Sequence, residues 1–143
     1  MSHAWNLGQL PETVGRPSRY FEKRGIILDG RGPLVIDKTS VWGLCITVLT
    51  ESHDIAGGPG RLGRVVPYGV HVEAGAWIGS GVLLAGCRIG AGAIVAAGTV
   101  VRGQDVAPGV MVSGNPARVI ARWDGERWAY LPEANSGYDR GLQ

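Results

Sequence analysis

The sequence predicts an all-β protein, a parallel β-helix, and the evidence is a repeat of aliphatic residues between residues 66 and 101. Large aliphatic side chains recur there in steps of six residues with one step of five, at Val66, Val72, Ile78, Leu84, Ile89, Val95 and Val101. Compact residues stand four positions after five of them, at Val70, Ala76, Val82, Ala93 and Thr99. This period fits neither an α-helix nor a coiled coil, whereas hexapeptide repeats are typical of parallel β-helices. Each hexad therefore predicts one short strand with an aliphatic side chain facing inward.

Composition supports this prediction. The chain has 24 glycines and a single phenylalanine among 143 residues, as expected if many tight corners surround a narrow aliphatic interior. The net charge of +2, without a run of Lys or Arg, argues against a nucleic-acid partner. No secretory pattern and no long apolar run is present, so we expect a cytoplasmic protein without membrane insertion. The two cysteines are expected to be reduced core residues.

The order of segments predicts three parts. Residues 1–29 lack the repeat and are expected to form an N-terminal extension that caps the first coil, because the end of a β-helix exposes strand edges. Residues 30–114 are expected to form the β-helix. Residues 115–143 are expected to form a short C-terminal helix and a tail. The helix is predicted to start at Ala117, because Pro116 is favourable at a first helical position.

Within the β-helix, Ile36, Trp42 and Val48 are predicted to face inward in the first hexads. The five-residue step after Leu84 predicts a shortened corner with Cys87 inward and Arg88 outward. Residues 54–65 interrupt the repeat with a Gly-Gly-Pro-Gly centre and predict a loop. That loop is either a tolerated surface insertion or the wall of a site.

Four blocks of sequence resemble a known family. They are TVLTESHD (47–54), GAWIGSGV (75–82), IGAGAIVAAGTVV (89–101) and SGNPARVI (113–120). In this order they resemble the hexapeptide-repeat acyltransferases, in particular the maltose, galactoside and nodulation-type O-acetyltransferases and relatives that acetylate bacterial polysaccharides. The resemblance implies a left-handed parallel β-helix of triangular section. It also implies a homotrimer with active sites between neighbouring subunits, and acetyl-CoA as the acetyl donor.

The resemblance also implies roles for individual residues. His53 stands where the family keeps its catalytic histidine, and Trp77 and Ser80 lie on the block that runs beside the bound donor. Ala97 matches a position whose backbone meets the pantetheine arm, and Arg118 matches a basic residue near the nucleotide end of CoA.

The chain departs from the family pattern near its last coil. The usual Thr-Lys-Asp is replaced by Arg102-Gly103-Gln104-Asp105, and the second basic residue after Arg118 is displaced to Arg122. We expect Arg102, Arg118 and Arg122 to gather where the coil ends and to meet the phosphates of CoA.

The chemistry of acetyl transfer needs a base for the acceptor hydroxyl, and a neutral imidazole suits this task. His53 precedes the predicted loop, where a cleft could form, although an ordinary surface histidine fits the same position. A backbone carbonyl or a carboxylate should fix its tautomer, and Glu51, Asp54 and Glu73 are candidates. If the hexad of Val48 stacks on that of Ile78, Trp77 approaches the face that carries His53.

Several functions are compatible with this pattern. The first is transfer of acetyl from acetyl-CoA to a hydroxyl of a sugar, a glycan or a sugar-like small molecule, and an N-acetyltransferase is a close variant. A metalloenzyme of the γ-class carbonic anhydrase type needs three converging histidines. Only His53 and His71 lie in the repeat, while His3 lies far outside it, so no metal is expected. A non-catalytic trimeric scaffold or binding module is the remaining alternative.

Overall fold

The computed structural model describes residues 7–134, and almost all of its regular structure is β-strand. Residues 1–6 and 135–143, with His3 and the outer parts of the predicted extension and tail, lie outside the described residues. Helical structure in the described part is limited to α1 (Ser18–Glu22) and two short 3-10 helices, Leu7–Gln9 and Pro132–Ala134. Across residues 7–134, no helix has the length and apolar character needed to cross a membrane.

Parallel strands build a coil with three faces, and successive strands of the chain visit the faces in turn. The first face contains β1 (Ile27–Asp29), β4 (Thr47–Leu49), β9 (Leu83–Ala85) and β12 (Val100–Arg102). The second face contains β2 (Leu34–Ile36), β7 (Val70–Val72) and β10 (Cys87–Ile89). The third face contains β3 (Val41–Trp42), β8 (Trp77–Ile78), β11 (Ile94–Val95) and β13 (Val110–Ser113). This is a parallel β-helix, and the prediction of an all-β protein is confirmed.

Inward side chains stack in three ladders, one behind each face. The ladders are Leu28–Val48–Leu84–Val101, Ile36–Val72–Ile89 and Trp42–Ile78–Val95–Val112. Every member is at most 3% exposed, which confirms the predicted inward positions, including the bulky Trp42. The interior is almost entirely apolar, so its burial is the main stabilising contribution to the coil.

The stacking partner expected for Val48 is wrong. Val48 lies on Leu84 of the first face, whereas Ile78 lies on Trp42 of the third face. Three strands make one coil, so each strand of the repeat stacks on the third repeat strand after it. The expected pairing did not take this into account. Trp77 is consequently on the third face, away from the corner after the first face where His53 leaves the coil.

The segment 54–65, for which the sequence predicts a loop, lies in a β-hairpin. Strand β5 (Glu51–Ile55) pairs antiparallel with β6 (Leu62–Pro67), and only residues 56–61 form the connecting tip. The glycine-rich centre correctly marks the tip, but the residues around it pair with each other and satisfy their own backbone hydrogen bonds. Val66 belongs to this hairpin and is half-buried, so its predicted place in the interior is wrong.

The predicted C-terminal helix is also wrong. Residues after Pro116 form β14 (Arg118–Trp123), antiparallel to β13, and β15 (Trp128–Tyr130) follows. The physical reason is the open edge of the third face, since its unpaired backbone groups are satisfied by an added strand. The β-branched and aromatic residues in this segment favour that conformation. The Trp123 and Trp128 rings pair across β14 and β15 with centroids 5.8 Å apart.

The first coil begins earlier than the repeat in the sequence indicates. Strand β1 starts at Ile27, inside the segment predicted as an extension. Before it, α1 places Phe21 against Trp42 with ring centroids 5.5 Å apart, and the Phe21 side chain is fully buried. Phe21 thus closes the N-terminal end of the interior.

The five-residue step is a corner that makes room for an aromatic ring. Gly86 has a φ of +54°, and a Cβ added there would lie 2.9 Å from the Tyr68 ring. Cys87 follows with its side chain inward and Arg88 faces outward, as predicted. The expectation that both cysteines are core residues is wrong for Cys45, which is exposed. Burial raises the pKa of the Cys87 thiol to about 12, so it stays protonated.

We predict that Leu84→Ala lowers the free energy of unfolding by about 2–5 kcal/mol, because it leaves a cavity at the centre of the first ladder. Ile27→Ala is the control, because Ile27 is 55% exposed on the outer side of the first face whereas Leu84 is fully buried. Urea unfolding of both variants measures the difference. Equal losses for the two variants would contradict the inward assignment of Leu84.

Candidate active site

His53 lies on β5, at the base of the hairpin, and its side chain is half-buried. Its Nδ1 atom is 3.0 Å from the backbone carbonyl oxygen of Gly63 on the opposite strand. A carbonyl oxygen can only accept, so Nδ1 must carry the hydrogen in this contact. In the neutral ring Nε2 then holds the free lone pair, which is the form required of a general base.

The carboxylates considered as partners of His53 are engaged elsewhere. Glu51 accepts a hydrogen bond from a backbone N–H of the first coil at 3.1 Å. Asp54 is paired with Arg64 at 2.7 Å, and Glu73 with Arg88 at 2.6 Å. The hydrogen bond from Arg88, followed by one from a backbone N–H, lowers the pKa of Glu73. The tautomer of His53 is therefore set by a backbone carbonyl.

Gly63 is the residue of this site that sequence reasoning missed. A Cβ at position 63 would collide with the carbonyl oxygen of Asp54 on the neighbouring strand, so only glycine lets the two strands approach this closely. That approach brings the Gly63 carbonyl to His53. The glycine is visible in the sequence, but its role depends on the pairing of β5 with β6.

A second feature is a groove of about 340 Å³ on the third face. It is lined by three residues predicted to bind the donor, Trp77, Ser80 and Ala97, together with apolar residues including Ile94 and Met111. The Trp77 side chain is 39% exposed although its neighbours in the groove are apolar. The structure thus brings these three predicted residues together.

The corner along this groove presents unused backbone donors. Among residues 7–134, nothing accepts a hydrogen bond from the backbone N–H of Ser80 or of Ala97. A Cβ on Gly79 would lie 2.6 Å from the nitrogen of Ala97, so glycine is required to keep the two coils this close. An extended molecule with amide oxygens, such as pantetheine, fits a groove with small side chains and free N–H groups.

His53 and the groove occupy different corners of the coil. The hairpin with His53 leaves between the first and second faces, whereas Ser80 and Ala97 lie at the corner between the third and first faces. Within the described residues, the groove lined by Trp77 does not include His53. The two features therefore do not meet at one corner of a single chain.

The three predicted arginines do not gather at one place. Arg118 and Arg122 line a cleft of about 350 Å³ at the end of the coil, over inward residues such as Val110 and Val112. Arg118 donates to the Ala117 carbonyl at 2.9 Å. The Arg102 side chain lines a separate cleft beside the hairpin.

His71 lies on the outer side of the second face, in the row Val35–His71–Arg88. In the portion of the chain that the structure describes, no group of three or more His, Cys, Asp or Glu side chains is placed to hold a metal ion.

We predict that Gly63→Ala separates β5 from β6 and removes the hydrogen bond at Nδ1 of His53. The 15N shifts of the imidazole report this change, because the wild-type ring should hold its proton on Nδ1 and the variant should become a mixture of tautomers. Gly60→Ala is the matched control, since a Cβ there meets no atom within 4 Å. Unchanged tautomers in Gly63→Ala would contradict the role of the carbonyl.

Comparison with known proteins gives structural neighbours only. No protein-family model and no curated protein sequence matches the chain. Among solved structures, a hexapeptide-repeat-containing acetyltransferase from Vibrio cholerae with acetyl-CoA is 27% identical with a TM-score of 0.59, and the alignment covers 68% of this chain and 54% of that one. A maltose O-acetyltransferase from Clostridium difficile 630 is 24% identical, with a TM-score of 0.51 and coverage of 68% and 59%.

An N-acyltransferase from Bacillus cereus, AntD, shares the fold at 19% identity and a TM-score of 0.57, with coverage of 67% and 56%. The chain therefore spans little more than half the length of the solved structures that it matches. The resemblance in the sequence is confirmed by these findings: the structural neighbours of this chain are hexapeptide-repeat acetyltransferases.

Proposed function

We propose that this chain transfers an acetyl group from acetyl-CoA to a hydroxyl of a sugar or sugar-like acceptor, with His53 as the general base. The observation that carries the proposal is the hydrogen bond from Nδ1 of His53 to the Gly63 carbonyl, which leaves Nε2 unprotonated. The half-buried position of the ring at the base of the hairpin keeps Nε2 in a fixed direction.

The reaction follows from this tautomer. Nε2 takes the proton of the acceptor hydroxyl while the hydroxyl oxygen attacks the thioester carbonyl carbon. The tetrahedral intermediate then collapses with cleavage of the carbon–sulfur bond. The imidazolium returns its proton to the departing thiolate, so the products are the acetyl ester and free CoA. The Gly63 carbonyl also stabilises the imidazolium, because its oxygen faces the ring hydrogen on Nδ1.

The donor is proposed to lie in the groove on the third face. Trp77 supplies an apolar wall, and the free N–H groups of Ser80 and Ala97 face the amide oxygens of the pantetheine arm. Arg118 and Arg122 border the cleft at the end of the coil, where the phosphates of CoA would meet positive charge. Acetyl-CoA itself supplies the activated acyl group.

The proposal includes a left-handed coil and a homotrimer in which His53 of one chain faces the groove of another. Two exposed apolar surfaces support contact between chains. The hairpin exposes Ile55 (87%) and Leu62 (68%), and the surroundings of the groove expose Val41 (50%) and Leu44 (55%). Three-fold closure would join these two surfaces three times. Acetyl-CoA is a cytoplasmic metabolite, so a cytoplasmic location belongs to the same proposal.

We predict that His53→Gln lowers kcat by about 10²–10⁴-fold, the usual contribution of a general base, with little change in the KM for acetyl-CoA. His71→Gln is the control, because His71 lies on another face of the coil. Release of CoA thiol with a panel of sugars measures both variants. Full activity in His53→Gln, or no thiol release by the wild type with any acceptor, would overturn the proposal.

We predict that Ala97→Leu raises the KM for acetyl-CoA by about tenfold or more, because the larger side chain fills the corner of the groove. Ala91→Leu is the matched control, since Ala91 is an exposed corner residue of the same coil outside this groove. Steady-state kinetics at varied acetyl-CoA distinguish the two variants. An equal effect of both substitutions would place the donor elsewhere.

A further inference from the structure

The cleft beside the hairpin that contains Arg102 lies between the hairpin and the coil, on the side of β5 opposite to the His53 ring. This cleft has a volume of about 240 Å³ and is lined by Ser52, Tyr68, Ala85, Gly86, Arg102 and Gly103. Side chains alternate along a strand, so Ser52 and His53 point to opposite sides of β5. The cleft is therefore close in the chain to the proposed base but distinct from the position of its imidazole.

Three elements with fixed register build this cleft. Arg102 on β12 lies directly over Ala85 on β9, and the row continues through Leu49 to Asp29 on the coils before it. Next to Arg102 this row carries only the methyl group of Ala85. Tyr68 follows β6 and its backbone N–H donates to the Thr50 carbonyl at 2.9 Å. Its ring lies against the shortened corner at Gly86. The floor is consequently made of small residues and the walls of polar side chains.

The polar groups of this cleft are unused. Within residues 7–134, the hydroxyls of Ser52 and Tyr68 and the guanidinium of Arg102 have no hydrogen-bond or ion-pair partner. Arg64 and Arg88, by contrast, are engaged with Asp54 and Glu73, while Arg19 and Arg122 resemble Arg102 in having no side-chain partner among residues 7–134.

The cleft also lacks a negative charge of its own, since no carboxylate lines it. Asp54, two residues after Ser52 on β5, is already paired with Arg64. Two hydroxyl donors and one arginine around a floor of small residues form a set of donors that suits an oxyanion.

We propose that the Ser52–Tyr68–Arg102 cleft binds a carboxylate or phosphate group of the acceptor. The cleft and the His53 ring lie on opposite sides of β5, so this group belongs to a part of the acceptor remote from the reacting hydroxyl, and the preferred substrate is an acidic or phosphorylated glycan. The assignment of the anion to the acceptor rests on the proposed function, whereas the existence of an anion site does not. Arg102 lines neither the groove of Trp77 nor the cleft of Arg118 and Arg122, and for this reason we assign it to the acceptor and not to CoA.

Binding is tested first without any acetyl donor. The full chain is treated with phenylglyoxal, with and without inorganic phosphate, and the modified arginines are identified by mass spectrometry. We expect phosphate to slow modification of Arg102 by about tenfold, since a bound oxyanion occupies its guanidinium. Arg19, an exposed arginine on α1 outside the cleft, is the internal control and should react at the same rate in both samples. Tyr68→Phe should weaken the protection of Arg102.

The outcomes of this first experiment distinguish a built anion site from non-specific protection, and they test that site separately from acetyl transfer. Protection of Arg102 but not of Arg19 supports a built anion site. Absence of protection, or equal protection of both arginines, overturns it. If phosphate protects Arg102 while the wild type transfers no acetyl group, the proposed function fails and the anion site remains.

The source of the anion is tested by kinetics with paired acceptors that differ only in a carboxylate, such as a neutral disaccharide and the same disaccharide with one sugar oxidised to a uronate. Arg102→Gln should raise the KM for the acidic member by about tenfold and leave the KM for the neutral member and for acetyl-CoA unchanged, whereas Arg19→Gln should alter none of them. A higher KM for acetyl-CoA that disappears with acetyl-3′-dephospho-CoA would identify the anion as a phosphate of CoA. That result would overturn the assignment to the acceptor.

Discussion

The stacking of inward aliphatic side chains, one coil on the next, is the constraint on which the rest of this structure depends. Leu84 must lie between Val48 and Val101, so the corners between faces have fixed lengths and the outward residues have fixed positions. Segments that do not fit this spacing lie outside the coil. The hairpin of β5 and β6 is such a segment, and it carries His53. The stacked aliphatic ladder thus determines where the surface residues that carry the chemistry can be placed.

The sequence predicts the ladders well because they depend on a short local period. Cys87 inward and Arg88 outward follow from the same local rule, even across the shortened corner. The errors concern pairing between distant segments. Residues 118–123 contain β-branched and aromatic residues that favour a strand, but the deciding factor is the open edge of β13, which lies outside this local segment. The partner of Val48 depends on the number of strands in a coil, which a six-residue period does not state.

The candidate site divides in the same way. Ser80 and Ala97 stand at equivalent corner positions of successive coils, and Trp77 precedes Ser80 by three residues on the same coil, so their meeting in one groove follows from the repeat. The Gly63 carbonyl and the cleft of Arg102 arise where the hairpin folds back, and no local pattern in the sequence marks them. The sequence left open whether a carboxylate or a backbone carbonyl is the partner of His53. It offered individual residues only for the carboxylate, because charged neighbours are visible in the chain and the positions of backbone carbonyls are not.

The central claim is that one chain supplies His53 and another supplies the donor groove. The most direct test mixes His53→Gln chains with Ala97→Leu chains in equal amounts, after unfolding and refolding together, and measures acetyl transfer below the KM for acetyl-CoA. If each site joins two chains, about a quarter of the sites in a random cyclic assembly have both intact parts, so activity should return to about a quarter of the wild-type value. Activity that stays at the level of the separate variants would contradict the claim.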